Sequence, residues 1–179
     1  PKAPRLTYRA TTEFILALRE KIGHDPLWLM GVTGCVINDE GKLLLGRRAD
    51  TGQWAMVYGI NEPGEEPADT VIREVKEETG VDAIATDLVC VKSSDQMLTY
   101  ANGDQTMYMD HLFLCQVAPG GNGEPFVGDD ESLSVGWFDP TELPSPLAAT
   151  TVERLRYVSQ YLGNAQHGDR RALFAVTEE

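Results

Sequence analysis

Residues 67–80, PADTVIREVKEETG, constrain the fold more than any other stretch of this chain. Pro67 suits a first helical position and Gly80 the residue just past a helix end, which predicts a helix over Pro67–Thr79. At about 100° per residue, Ala68, Val71, Ile72, Val75 and Thr79 share one face, and Glu74, Glu77 and Glu78 share another. The first face requires a core to lie against. The second puts three acids into the last two turns, where the helix dipole is already negative and like charges repel by a few tenths of a kcal/mol per pair. Stability alone does not select such a face.

Two readings of the acids follow from the helix itself. One is a solvated surface eased by Arg73 and Lys76. The other is a site for a hard divalent cation, which takes oxygen ligands of this kind.

The preceding residues extend the pattern. Gly59, five residues, Glu65, seven residues and then Arg73-Glu74-Val75-Lys76-Glu77-Glu78-Thr79-Gly80-Val81 match the signature Gx5Ex7REUxEExGU, in which U is a bulky aliphatic residue. The chain therefore resembles the Nudix hydrolase superfamily over about Leu27 to Leu162. The resemblance implies an α/β fold, a Nudix-type α/β/α sandwich around a central mixed β-sheet. It also implies Mg²⁺ as cofactor, with Mn²⁺ as the substitute. By the same resemblance Glu74, Glu77, Glu78 and the Gly59 carbonyl are the metal-holding groups, and Arg73 orients the acids with Glu65 in support. Glu74 is the first candidate for the base, Glu131 the second. The chain departs from the usual family form where Val57-Tyr58-Gly59 stands in place of a Pro-Gly-Gly; the Tyr58 ring either lines the substrate site or fills the core.

At 179 residues and 42% hydrophobic, the chain suits one buried core with terminal additions. The expected division is an N-terminal helical extension over 1–26, a Nudix domain over 27–162 and a tail over 163–179. A formal net charge of −13 argues against binding a nucleic-acid polymer, whose affinity rests on Lys and Arg. Cys35, Cys90 and Cys115 are far apart with no CxxC, so buried reduced thiols are expected. The apolar run Leu27 to Ile37 is too short to span a bilayer, and no secretory leader is seen. A cytoplasmic location without membrane association is the expectation.

Elsewhere the pattern predicts a helix from about Thr11 to Ile22, with Phe14, Ile15, Leu18 and Ile22 on one face. Strands are expected over Leu27 to Ile37 and Lys42 to Arg47, joined by a turn at 38–41. Adjacent arginines on a strand alternate faces, so at most one of Arg47 and Arg48 points at a site; Arg48 is the candidate substrate contact, with Tyr58. Strands over Ile84 to Lys92 and Gln105 to Val117 follow. The second puts Asp110 and His111 on opposite faces, and a lone strand histidine is more often structural than catalytic. The turn-rich run 118–132 reads as an exposed, mobile loop. Some relatives draw an extra carboxylate from this region, for which Glu131 is the first candidate and Asp130 and Asp129 the next. A closing helix over Leu147 to Leu162 has Val152, Leu155, Val158 and Leu162 on its stripe. The tail either packs back or pairs with a second subunit, and the N-terminal helix has the same two options, so a homodimer is left open.

What the resemblance implies is a metal-dependent hydrolase that cleaves a pyrophosphate linkage in a nucleoside diphosphate joined to another moiety. Its partner is then a small nucleotide-type molecule. The alternative is a catalytically inactive Nudix-like module that senses a nucleotide or metabolite. The chain has neither the proline about fifteen residues after Gly80 found in many ADP-ribose hydrolases nor the SQPWPxPxS-like array of NADH hydrolases, so the substrate class stays open.

Overall fold

The structure is a computed structural model and describes residues 13–174. Helix α1 (Glu13–Ile22) leads into strand β1 (Leu27–Ile37) and its hairpin partner β2 (Leu43–Arg48). Short strands β3 (Trp54–Ala55) and β4 (Val57–Ile60) precede helix α2 (Pro67–Thr79). Then come β5 (Ala83–Ser93), β6 (Leu98–Thr99), β7 (Gln105–Val117), β8 (Ser132–Phe138) and helix α3 (Ala149–Gln166).

All eight strands join one sheet with the path β3-β2-β1-β7-β5; β4 pairs with β1, β6 with β7 and β8 with β2. The central pair β1 and β7 is parallel, while the other pairings are antiparallel, which makes the sheet mixed as expected. Two apolar cores lie on its two faces. Val71 and Val75 of α2 pack with Val32, Val36, Leu44, Val57 and Phe113 on one side. Val158 and Tyr161 of α3 pack with Cys35, Leu45, Met56, Leu112 and Leu114 on the other. The result is an α/β/α sandwich.

Helix α2 has the bounds that Pro67 and Gly80 predict. Gly80 takes the left-handed conformation at φ 72° and its N–H caps the Lys76 carbonyl, which an L side chain would resist. The helix also sits unusually close to β1, since a Cβ on Gly34 would lie 2.9 Å from Val71 Cγ2.

Two expectations need amendment, and two others gain detail. In α1 only Ile15 is buried and Phe14 is half exposed, so the predicted stripe is narrower than the pattern suggests; residues 11 and 12 lie outside the described residues. In α3 the buried positions are Thr151, Val158 and Tyr161, whereas Val152 is 44% exposed, because the sheet meets a face rotated from the predicted one. The tail packs back: Leu173 N–H donates to the Val89 carbonyl, and Arg170 and Tyr161 both bond Asp87; Ala175 and Val176 lie outside the described residues. The 118–132 run is irregular and mostly exposed, as expected, yet it is fastened to a neighbour. Its backbone is bonded to the C-terminal turn of α2, with Phe126 N–H on the Thr79 carbonyl and Gly128 N–H on the Glu78 carbonyl. The three thiols are free and buried, as expected, and burial pushes Cys35 and Cys115 up to about 12 and Cys90 to about 11.

Candidate active site

The site starts from the acidic face of α2 and strand β4 beneath it. β4 pairs with β1 in the register Val32↔Gly59, so Gly59 lies under α2. The Glu74 side chain crosses that bare α-carbon at van der Waals distance, for a Cβ on Gly59 would sit 2.2 Å from Glu74 Cγ. The first glycine of the signature thus serves the first glutamate of the helix.

Arg73 gathers the acids. Its Nε donates to Glu65 Oε1 at 2.9 Å, and its Nη1 donates to Glu74 Oε1 at 2.9 Å and to Glu77 Oε2 at 3.2 Å. The guanidinium pKa is raised, chiefly by the Glu65 bond and against partial burial. Glu65 is held low mainly by the same bond. The fork geometry of arginine suits it to join carboxylates from a loop and a helix, which a lysine point charge would do less well. Glu65 and Arg73 therefore meet as the signature spacing implies.

Glu78 keeps some exposed surface as a residue, yet its carboxyl is enclosed. Burial first, then Glu131, Glu74 and Asp129, push its pKa well above the ordinary range, and Arg48 opposes them. The four acids come from two parts of the chain: Glu74 and Glu78 from α2, Asp129 and Glu131 from the segment before β8. The β2–β8 register, with Arg48 opposite Ser132, carries Glu131 to the same place. Arg48 also forks onto Asp50 at 2.9 and 2.6 Å; burial disfavours its charge, but Asp50, with Glu78 adding, raises its pKa overall. Arg47 instead donates to the Gly52 carbonyl, and the β2–β8 register shifts between Arg47 and Arg48.

The donor chemistry fits a hard cation: oxygens only, partly enclosed, with like charges facing one another. Among the described residues, however, no three Asp, Glu, His or Cys side chains stand close enough together to hold an ion as they are placed. Part of the reason is visible in Arg73, which draws Glu74 Oε1 and Glu77 Oε2 to itself.

Tyr58 is not gathered with the acids. Its neighbours on β4 face α2, but Tyr58 itself points at α3, where its hydroxyl bonds Thr151 Oγ1 at 2.7 Å and Thr150 Oγ1 at 3.0 Å. The Arg154 guanidinium lies 4.6 Å from its ring centroid and donates to Asp110 Oδ2 at 3.0 Å, while Thr33 Oγ1 donates to Asp110 Oδ1. Sequence reasoning missed this cluster, since nothing local links residues 33, 58, 110 and 154. His111 Nδ1 lies 3.0 Å from the Gly31 carbonyl, a partner to which it can only donate, and this gives the ring a structural bond. A cleft of about 310 Å³ lined by Cys90, Lys92, Tyr157 and Leu173 includes none of the site acids.

With this geometry in place, the relatives are informative. Residues 28–162 match the NUDIX domain. A MutT-like protein of Streptomyces ambofaciens is 34% identical over 130 residues, covering 73% of this chain and 76% of its own. Nucleoside triphosphatase NudI of Salmonella agona is 34% identical over 116 residues, covering 60% of this chain and 80% of its own. Among solved structures, a MutT NUDIX hydrolase from Burkholderia pseudomallei superposes with a TM-score of 0.59 at 28% identity, covering 74% of this chain and 98% of its own. Family members generally use divalent metal ions and act on small nucleotide-type substrates. A signature helix set over Gly59, an arginine-held acid cluster and a family match that spans the whole sheet converge on one assignment: the chain belongs to the Nudix hydrolase family.

Proposed function

We propose that the protein cleaves a pyrophosphate linkage in a nucleoside diphosphate joined to another moiety, in a reaction that depends on Mg²⁺ or Mn²⁺. The observation that carries this reading is the enclosed Glu78 carboxyl, whose charge is disfavoured by burial and by Glu131, Glu74 and Asp129 and favoured by Arg48. A buried carboxyl among like charges is costly for a fold, and a bound cation offsets that cost. The name of the Salmonella relative, a nucleoside triphosphatase, supports the same substrate class.

In this reading Glu74, Glu77, Glu78 and the Gly59 carbonyl hold the metal. When bound, a divalent cation neutralises phosphate charge and makes water a better nucleophile. Glu74 takes the proton of the attacking water, with Glu131 as the second candidate; the base must lie within about 3 Å of that water or reach it through another. Arg73 keeps the acids in place and Glu65 steadies Arg73. Arg48, beside Glu78, meets phosphate oxygens on the substrate. Tyr58 acts by fixing β4 to α3.

The catalytic unit is proposed to be residues 27–162, with the helical extension and tail as additions. A cytoplasmic, reducing setting suits three free buried thiols, and among the described residues no helix is long and apolar enough to cross a membrane. A homodimer would use exposed Phe14 and Leu16 of α1, and sedimentation would decide it. The main test is a phosphate-release assay with Mg²⁺ and with Mn²⁺ on nucleoside triphosphates, damaged nucleotides, nucleotide sugars and dinucleotides, with products identified. Binding without turnover across that panel would instead support the inactive sensing module.

A further inference from the structure

Between β7 and β8 the chain crosses the C-terminal turn of α2 and is fastened there at several points. Asn122 Nδ2 donates to the Gly80 carbonyl at 2.9 Å, Phe126 N–H to Thr79 at 2.9 Å and Gly128 N–H to Glu78 at 3.1 Å. A second anchor follows three residues later, where Ala49 N–H donates to the Glu131 carbonyl at 2.8 Å and Ser132 pairs with Arg48. The span from Gly128 to Glu131 reaches about 10 Å at most when extended. It therefore ties the last turn of α2 to the end of β2 through a short bridge. Glu131 N–H also donates to Asp129 Oδ1 at 3.0 Å, which shapes the bridge from within.

Gly128 is the tightest point of this seat. A Cβ there would lie 2.0 Å from the Glu77 carbonyl oxygen, 3.0 Å from the Glu77 carbonyl carbon and 3.3 Å from that of Glu78, all helix backbone that has no rotamer to yield. Gly128 is not among the residues at positive φ, so glycine is needed for close approach and not for turn shape.

We propose that Gly128 is a positioning residue for the hydrolytic reaction: its bare α-carbon seats the 122–131 segment on the last turn of α2 and so holds the Asp129 and Glu131 carboxylates beside Glu78. This rests on the metal-dependent reading above.

The test compares Gly128→Ala, Asn122→Ala and the control Gly123→Ala in the full chain. Gly123 lies in the same segment, but a Cβ there meets Val117 Cγ1 at 3.4 Å and Cγ2 at 3.8 Å, ordinary contacts. Mn²⁺ affinity without substrate is read by electron paramagnetic resonance, alongside kcat, KM and thermal midpoint. Gly128→Ala is expected to weaken Mn²⁺ binding by about tenfold and to lower kcat by between about 10- and 100-fold with little change in KM. Gly123→Ala should match wild type in every measurement. Asn122→Ala, which loosens the seat without adding atoms, should shift Mn²⁺ affinity and kcat in the same direction by less, and it decides the matter if Gly128→Ala does not fold. Wild-type Mn²⁺ affinity and kcat in a folded Gly128→Ala, or in Asn122→Ala, overturns the proposal, as does a change confined to KM. If wild type itself turns over nothing, the hydrolytic reading fails, whereas unchanged Mn²⁺ affinity in the variants would be the separate failure of the positioning role.

Discussion

Glu74 passes over Gly59 with no room between them: an added β-carbon on Gly59 would sit 2.2 Å from Glu74 Cγ and 2.7 Å from Cδ. Gly59→Ala should therefore displace the carboxylate while leaving Val57 and the rest of β4 in the core. A misplacement of about 1 Å in a catalytic group can cost about 100-fold. We expect kcat to fall by about that factor and stability by about 1–3 kcal/mol from overpacking. Steady-state kinetics with a denaturant melt measure both, and a near-normal kcat would remove Glu74 from the reaction.

Asp110 and Arg154 form a largely buried pair, with side chains 15% and 19% exposed, that joins β7 to α3. Removing one partner leaves an uncompensated charge, so Arg154→Ala should destabilise by roughly 2–4 kcal/mol, somewhat below the range for a fully buried pair. It also strips the cation from the face of Tyr58. Asp110→Asn in the same background should recover part of the loss, because the orphaned carboxylate is then gone. Additive effects in that double-mutant cycle would mean that the pair contributes nothing through its charge.

Much of this architecture was legible in the sequence, and the reasons are local. Pro67 and Gly80 are backbone signals, and the α2 apolar face is a period-3.6 pattern, so that helix could be read to its ends. The long strands β1, β5 and β7 are apolar runs with clear boundaries. Strands β3, β4 and β6 are two to four residues long and exist through their partners, which leaves no period to detect. The α3 face failed for a related reason: Tyr161 is buried with its hydroxyl on Asp87, and the pairing of a polar tip with a distant acid has no signature in a hydrophobic stripe. The contacts of Arg73 with Glu65, Glu74 and Glu77 follow the spacing of the signature. The seating of Gly128 does not, since its partner carbonyls are fifty residues away in sequence and a glycine in an acidic run reads as a turn.

The tail offers a pH test remote from the acids. Burial tends to raise the Asp87 pKa, but bonds from Arg170, Thr86 and Tyr161 outweigh it and hold the carboxyl below its ordinary 3.8. A carboxyl depressed in the folded state adds stability that is fully present above its unfolded pKa and is lost as pH falls through the folded one. Wild type should accordingly lose this increment below about pH 4, while Asp87→Asn lacks it at every pH. The melting temperatures of the two proteins should differ by a few degrees at neutral pH and converge in acid. A gap that persists at pH 2 would assign the effect to packing of Tyr161 instead.

The enclosed carboxyl of Glu78 allows stability and function to be separated in one substitution. In the metal-free protein its charge faces Glu131, Glu74 and Asp129 in a buried setting, so Glu78→Gln removes repulsion and leaves the shape nearly unchanged. The melting temperature without metal should hold or rise. A ligand that binds only the folded state adds RT ln(1 + [L]/Kd), so Mg²⁺ or Mn²⁺ at 100 times Kd should stabilise wild type by about 2.7 kcal/mol. Glu78→Gln should gain much less, because one charged oxygen donor is gone. Its kcat should fall by about 100- to 1,000-fold, the scale on which losing one preorganised charge-stabilising group acts. Glu77→Gln serves as the comparison: its carboxylate is more exposed and tied to Arg73, so the metal-free gain should be smaller while the loss of turnover remains large. If Glu78→Gln melts lower without metal and keeps its full metal-induced shift, the acids of α2 stabilise the fold and hold no ion.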